Sequence, residues 1–255
     1  MYLIDYHTHP FGHGKKKYNY NLLKKYIRKA QKMNLKELGF SDHDIFSTKI
    51  NWEQLIKIKK EFNFKIKLGL EIDYIPGKEN NIKRLLKKLP LDYCIGSVHQ
   101  IGDWTIDHPD YKDEYNKRNI DKIYRQYFNI LNQAVNSGLF DIIGHLDLVK
   151  VFNFKPEKIS IKNLVEPVLK SIKKRGLSIE INTNGLNKPV KEMYPALNII
   201  KKAYKYNIPV CTGSDAHQVG RVGEGVENVI NILKDIGYKE IMTYSERKGL
   251  LKDIE

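Results

Sequence analysis

The chain has 255 residues, 41% of them hydrophobic, and 44 Lys and Arg against 30 Asp and Glu give a formal charge of +14. That length fits one α/β domain of barrel size, and no apolar run approaches the ~18 residues of a membrane span. The charge is not a nucleic-acid signature, because 37 of the basic residues are Lys and only seven are Arg, spread along helical faces, whereas a groove reader clusters Arg and Lys with aromatics.

Short apolar, β-branched runs alternate with longer helical patterns along the chain. Residues 2–7 (YLIDYH) read as a strand, and the start lacks the basic region and apolar stretch of a signal peptide. A helix is predicted over 21–34, a strand over 35–41, a helix over 52–63, a strand over 66–75, a helix over 80–89 and a strand over 92–99. The long helix of 119–138 stops on Gly138, a good terminator. A strand over 140–147, a helix over 161–176 despite Pro167, a strand over 177–185 and a helix over 194–207 opened by Pro195 follow. The last pair is a strand over 208–217 and a helix over 225–237. Cys94 and Cys211 fall in two of the strand-like runs and read as buried thiols of a cytoplasmic protein, not as a disulfide framework. About seven β-then-α units favour a parallel sheet with helices outside it. At that number a closed or nearly closed barrel is expected, as a single domain over residues 1–255, with function in the loops after the strands.

The metal-capable residues follow that pattern. His7 and His9 end the first strand, His43 follows the second, Glu71 lies on the third, His99 ends the fourth, His145 the fifth, and Asp215 and His217 the last. Side chains two apart on a strand point the same way, so His7 and His9 converge, as do Asp215 and His217. Parallel strands bring all these ends to one face. A single His at a strand end is more often a hydrogen-bonded structural residue than a ligand, and an H-x-H alone is weak evidence. Asp42, Asp44, Asp73 and Asp147 are equally readable as turn formers or helix caps. The shared placement carries the argument: seven of the eight histidines fall on one side of successive units, and His108 stands apart as a solvated loop residue. Imidazole with carboxylate suits Zn, Mn or Fe.

These motifs, "HTH…H", "SDHD", "GLEIDY", "GSVH", "GHLD" and "GSDAH", resemble those of the polymerase and histidinol phosphatase (PHP) family over residues 5 to about 223. Within the family they look most like the stand-alone histidinol-phosphate phosphatases. The resemblance implies a distorted (β/α)7 barrel with its metal site at the C-terminal ends of the strands. It also implies two to three divalent ions: one held by His7, His9, Glu71 and Asp215, a second by Glu71, His99 and His145, a third by His13, His43 and His217. Glu71, Asp215 and His217 are the candidate catalytic residues of this set.

The expected reaction is hydrolysis of a phosphate monoester, L-histidinol phosphate, to the alcohol and inorganic phosphate. Closely spaced dications would lower the pKa of a shared water toward ~7, neutralise the phosphate oxygens and steady the leaving alkoxide. Asp5, Asp42 and Asp147 are candidates to orient the ligand imidazoles. Where family members place Arg to grip phosphate, this chain has Lys150 and Asn187–Lys188, so Lys150, Lys188 and Arg221 are the candidate clamp. In the loop after the fourth strand Trp104 is a candidate to stack on an imidazole, and Asp103, Asp107 or Glu192 to pair with an amine. The alternatives are a phosphoesterase for another small phosphate ester or nucleotide, and a polymerase-associated nucleic-acid-binding module. The expected partner is a small phosphorylated substrate, with no membrane and no nucleic acid, and with the oligomeric state open between monomer and dimer.

Overall fold

The computed structural model describes residues 1–255. Its strands are β1 (Ile4–Asp5), β2 (Glu37–Phe40), β3 (Lys65–Leu68), β4 (Glu71–Asp73), β5 (Ile95–Ser97), β6 (Gln100–Ile101), β7 (Trp104–Thr105), β8 (Ile142–Ile143), β9 (Ser178–Asn182), β10 (Val210–Gly213), β11 (Glu240–Ser245) and β12 (Lys248–Asp253). The helices are α1 (Tyr20–Lys32), α2 (Trp52–Glu61), α3 (Glu79–Leu86), α4 (Glu114–Lys117), α5 (Ile120–Asn136), α6 (Ile161–Arg175), α7 (Leu197–Lys205) and α8 (Val226–Ile236). None is long and apolar enough to cross a membrane.

Three helices, α1, α2 and α5, start on an Asn whose side chain caps the first turn, and each carries an apolar stripe. Asn19 accepts a hydrogen bond from the Leu22 amide at 3.0 Å, and Leu23, Tyr26, Ile27 and Ala30 make the buried face of α1. α6 runs through Pro167 and ends on Gly176 in the left-handed conformation, as a helix C-terminus favours.

All ladders between the βα strands are parallel. They form two arcs, β1-β2-β3 and β10-β9-β8-β5-β4, which together make the distorted, not fully closed barrel expected. The arcs meet at two isolated bridges, Thr8 with Ala216 and His43 with Glu71. The strand predicted over 66–75 is broken into β3 and β4 at Gly69–Leu70. Gly69 at the break leaves room for a ring: a Cβ there would lie 2.2 Å from Cζ of Tyr93, whose ring stacks on Tyr6 at 4.8 Å. The Tyr93 hydroxyl donates to the Tyr6 carbonyl at 2.5 Å, so these rings fill the space between the arcs. Cys94 and Cys211 are buried and unpaired.

The antiparallel hairpin β11–β12 lies where no element was expected, at the end of the fold opposite the histidines. The Tyr244 amide donates to the Tyr6 hydroxyl at 3.2 Å, and the Arg247 amide to the Asp92 carbonyl at 2.8 Å. The Arg247 guanidinium donates to both oxygens of Asp141 at 2.9 and 3.1 Å. Asp92 and Asp141 precede β5 and β8, so the hairpin closes the N-terminal ends of the strands and leaves their C-terminal ends open.

Candidate metal centre

Strand polarity delivers the histidines. His7 and His9 leave β1, His43 follows β2, Glu71 opens β4, His99 follows β5, His145 follows β8, and Asp215 and His217 follow β10. Five of the imidazoles meet around the Glu71 carboxylate, which is 1% exposed. Its Oε2 lies 3.4 Å from His7 Nε2, 3.6 Å from His9 Nε2 and 2.9 Å from His43 Nδ1. Its Oε1 lies 3.5 Å from His99 Nε2 and 2.9 Å from His145 Nε2, and accepts from the Ser97 hydroxyl at 2.7 Å. Each carboxylate oxygen thus faces a separate imidazole group. A second carboxylate, Asp215, sits 3.2 Å from His9 Nε2 and 3.4 Å from His217 Nδ1. Its other oxygen is held by the Asn184 amide at 2.8 Å, and its backbone takes the left-handed φ of 52°.

Three sets have their ligand atoms within 4.8 Å of one another: His7, His9 and Glu71; Glu71, His99 and His145; and His9, His43 and His217. The last differs from the expected trio, which had His13 in place of His9. His13 lies on a loop where Gly12, His13 and Gly14 all have positive φ, and its ring stacks on His217 at 4.2 Å and His43 at 5.2 Å. It covers this set from the solvent side.

Buried imidazole nitrogens without any hydrogen-bond partner test whether the site suits metal ions. His7 Nε2, both nitrogens of His9, His43 Nε2, His145 Nδ1 and His217 Nε2 are in that condition. Buried polar atoms are normally paired, and an imidazole lone pair left bare beside a carboxylate is a ligand for Zn, Mn or Fe. His217 Nδ1 lies 3.1 Å from the Asp215 carbonyl, a contact that places the proton there and bares Nε2.

Electrostatics divide the cluster. Burial opposes the charge of Glu71, yet the imidazoles of His7, His43 and His99 outweigh it and hold the carboxyl well below the usual range. Burial likewise opposes charge on His7 and His99, but the neighbouring carboxylates, Glu180 and Glu71 for His7 and Glu71 for His99, raise both well above the ordinary value. His9 goes the other way: burial, then His217 and His43, push it well down. The same causes bring His13 down to about 4.

A cavity of about 70 Å³ opens on the cluster, lined among others by His13, His43, Glu71, His99, His145, Asp215 and His217. Asp107, Lys188 and Tyr194 also line it. A larger apolar cavity of about 650 Å³ lies beyond Lys150 and Glu192, and no histidine lines it.

Several expected contacts are placed elsewhere. The Lys150 ammonium is buried against Asp147 at 3.0 Å, Glu192 at 3.0 Å and the Met193 carbonyl at 2.8 Å, away from the histidine cavity. Asp147 is therefore committed to Lys150 and to the Ala196 amide, with no imidazole partner. Arg221 stands behind the cavity wall, bonded to Glu224 at 2.8 Å and to Asn184 at 3.1 Å. Asp5 accepts from the amides of His7, Ser214 and Gly223, and Asp42 from the Phe11 amide, so both hold main chain and not imidazole rings. Trp104 is buried edge-on against Tyr115, Asp103 is exposed at the β6–β7 turn, and His108 is exposed and caps a 3₁₀ turn.

The sequence reading passed over four residues. Glu180 lies 2.6 Å from His7 Nδ1; Asp73, read as a turn former, accepts from the His99 amide at 3.1 Å; Asn184 holds Asp215; and the buried Tyr194 hydroxyl lacks a partner at the cavity wall. Only Glu180 had a visible signal, an acidic residue inside an apolar strand.

Comparison with known proteins agrees with this geometry. The chain matches the PHP domain over residues 5–184 and the PHP-associated segment over 199–236. A Deinococcus radiodurans protein named "Probable histidinol-phosphatase" is 38% identical over 194 residues, 75% of this chain and 73% of that one. The Bacillus subtilis protein named "Histidinol-phosphatase" is 29% identical, covering 88% of this chain and 96% of its own. The fold matches the crystal structure of histidinol phosphate phosphatase from Lactococcus lactis, complexed with zinc, L-histidinol and phosphate. Its TM-score is 0.78 at 22% identity, over 97% of this chain and 98% of that one.

Proposed function

The chain belongs to the PHP domain family, and we propose that it is a metal-dependent phosphatase that converts L-histidinol phosphate and water to L-histidinol and inorganic phosphate. The observation that carries this reading is the Glu71 carboxylate, whose two oxygens face separate imidazole groups. In this assignment His7, His9, Glu71 and Asp215 hold one divalent ion, and Glu71, His99 and His145 a second. His43 and His217, with His9 or His13, hold a third. The donor set fits Zn, Mn or Fe, and the names of the similar proteins support the substrate.

Bound ions supply Lewis acidity and an activated water; the chain's residues do the rest. Asp215 and Glu71 keep their charge and hold the imidazole lone pairs in register. Lys188 is the cation at the cavity with no carboxylate partner and is assigned to the phosphate. Asp107, on the opposite loop, is assigned to the substrate amine. Burial holds the Tyr194 phenol in its protonated form, so its unpartnered hydroxyl can donate to a substrate oxygen. We further assign residues 1–255 to one unit, since the PHP-associated segment contributes α8 to the same buried core. The two buried free thiols support a cytoplasmic location.

A panel of phosphomonoesters tests the substrate. With added Zn, Mn or Fe, phosphate release from L-histidinol phosphate should exceed that from sugar phosphates and nucleotides by at least tenfold in kcat/KM. A clear preference for another ester would overturn the substrate while leaving the phosphatase chemistry in place.

A further inference from the structure

One buried acid near the cluster belongs to no ligand set. Glu180 is 1% exposed, in the middle of β9, where all five positions are buried. Its Oε1 lies 2.6 Å from His7 Nδ1 and accepts from the Asn182 side-chain amide at 3.2 Å. Its Oε2 accepts from the backbone N–H of His145 at 2.9 Å. No Lys or Arg pairs with it, and a buried carboxylate is costly unless donors surround it. Room for it is also built in: a Cβ on Gly213 would lie 2.0 Å from Glu180 Oε1 and 2.5 Å from the Cβ of His7.

We propose that Glu180 is a positioning residue that fixes the His7 ring and ties it to the strand end carrying His145. The Asn182 NH2 and the His145 backbone N–H can only donate, so the carboxylate acts as the acceptor throughout, and Nδ1 of His7 carries a proton toward it. That makes His7 Nε2, which has no hydrogen-bond partner and faces Glu71 Oε2 at 3.4 Å, the nitrogen through which a metal ion would be held. A carboxylate behind a ligand imidazole orients the ring and raises its basicity toward a metal. One side chain thereby aligns a member of each of the two groups that share Glu71. The inference rests on the metal assignment proposed above.

The test compares the wild-type chain with Glu180→Gln and, as a control at the opposite end of the fold, Glu37→Gln. Glu37 is a buried acid bonded to Tyr2 and Tyr6, remote from the histidines. Zinc is titrated into chelator-stripped protein, and the ¹⁵N signals of the histidine rings are followed. The expected result is a zinc affinity for Glu180→Gln weakened about ten- to a hundredfold, with a changed His7 signal. Glu37→Gln should lower the unfolding midpoint and leave zinc affinity alone. Equal zinc affinity and an unchanged His7 signal in Glu180→Gln would reduce Glu180 to a structural link. Zinc-loaded wild-type protein also decides without a variant: coordination of His7 through Nδ1, with the proton on Nε2, would overturn the proposal. If the wild type binds no zinc, the metal assignment fails first and this inference fails with it.

Discussion

Glu71 shows how one residue can set the character of a site. Five imidazoles lie within 3.6 Å of its carboxylate, and their protonation depends on what else they meet. In the metal-free chain His7 and His99 are raised well above the ordinary value, against burial, by their carboxylate neighbours. A raised imidazole carries its proton at pH 7, and a metal ion must displace it. Zinc loading should therefore release at least one proton, and affinity should weaken as pH falls. Calorimetric titration at pH 7 in two buffers of different ionisation enthalpy measures this, and identical heats would count against it. The two lysines separate just as cleanly. Lys188→Ala should raise KM about tenfold, the ~1.5 kcal/mol of a hydrogen bond to a charged group, with the unfolding midpoint unchanged. Lys150→Ala should cost about 3 kcal/mol of stability, because Asp147 is left buried without its cation. Urea unfolding with steady-state kinetics on both variants checks the pair.

At the scale of elements, alternating strand and helix patterns made the barrel legible, and the placement of His and Asp at strand ends made the cluster legible. What escaped were features with no local signal. The β11–β12 turn uses Glu246 and Arg247 at φ of 50° and 61°, where a two-residue hairpin normally shows Asn or Gly. β12 is exposed at nearly every position, so it lacks an alternating pattern. Its hold on the fold comes from Asp92 and Asp141, over a hundred residues away in sequence. The need for Gly69 between β3 and β4 is equally non-local, because the ring that fills its space belongs to Tyr93. The fate of Lys150 depended on Glu192, which only the tertiary fold brings near. Arg247→Ala, which strips Asp141 of its guanidinium, should lower stability by about 2 kcal/mol and leave metal binding as it was. A loss of zinc affinity in that variant would mean that the closed end of the barrel controls the open one.

For the whole molecule, polarity organises function. Eight parallel strand segments direct their C-terminal ends to one face, and the C-terminal hairpin closes the other. The surplus of Lys is spread over the molecule and gives it a net charge of +14, a positive field that favours capture of an anionic ester. The account stands on the claim that these side chains hold ions and that the ions are needed for phosphate release. The most direct measurement is a metal titration of chelator-stripped protein, following bound metal and phosphate release from L-histidinol phosphate together. Activity should rise from near zero and level off at two to three equivalents of Zn, Mn or Fe. Full turnover by protein shown to be free of metal would contradict the account.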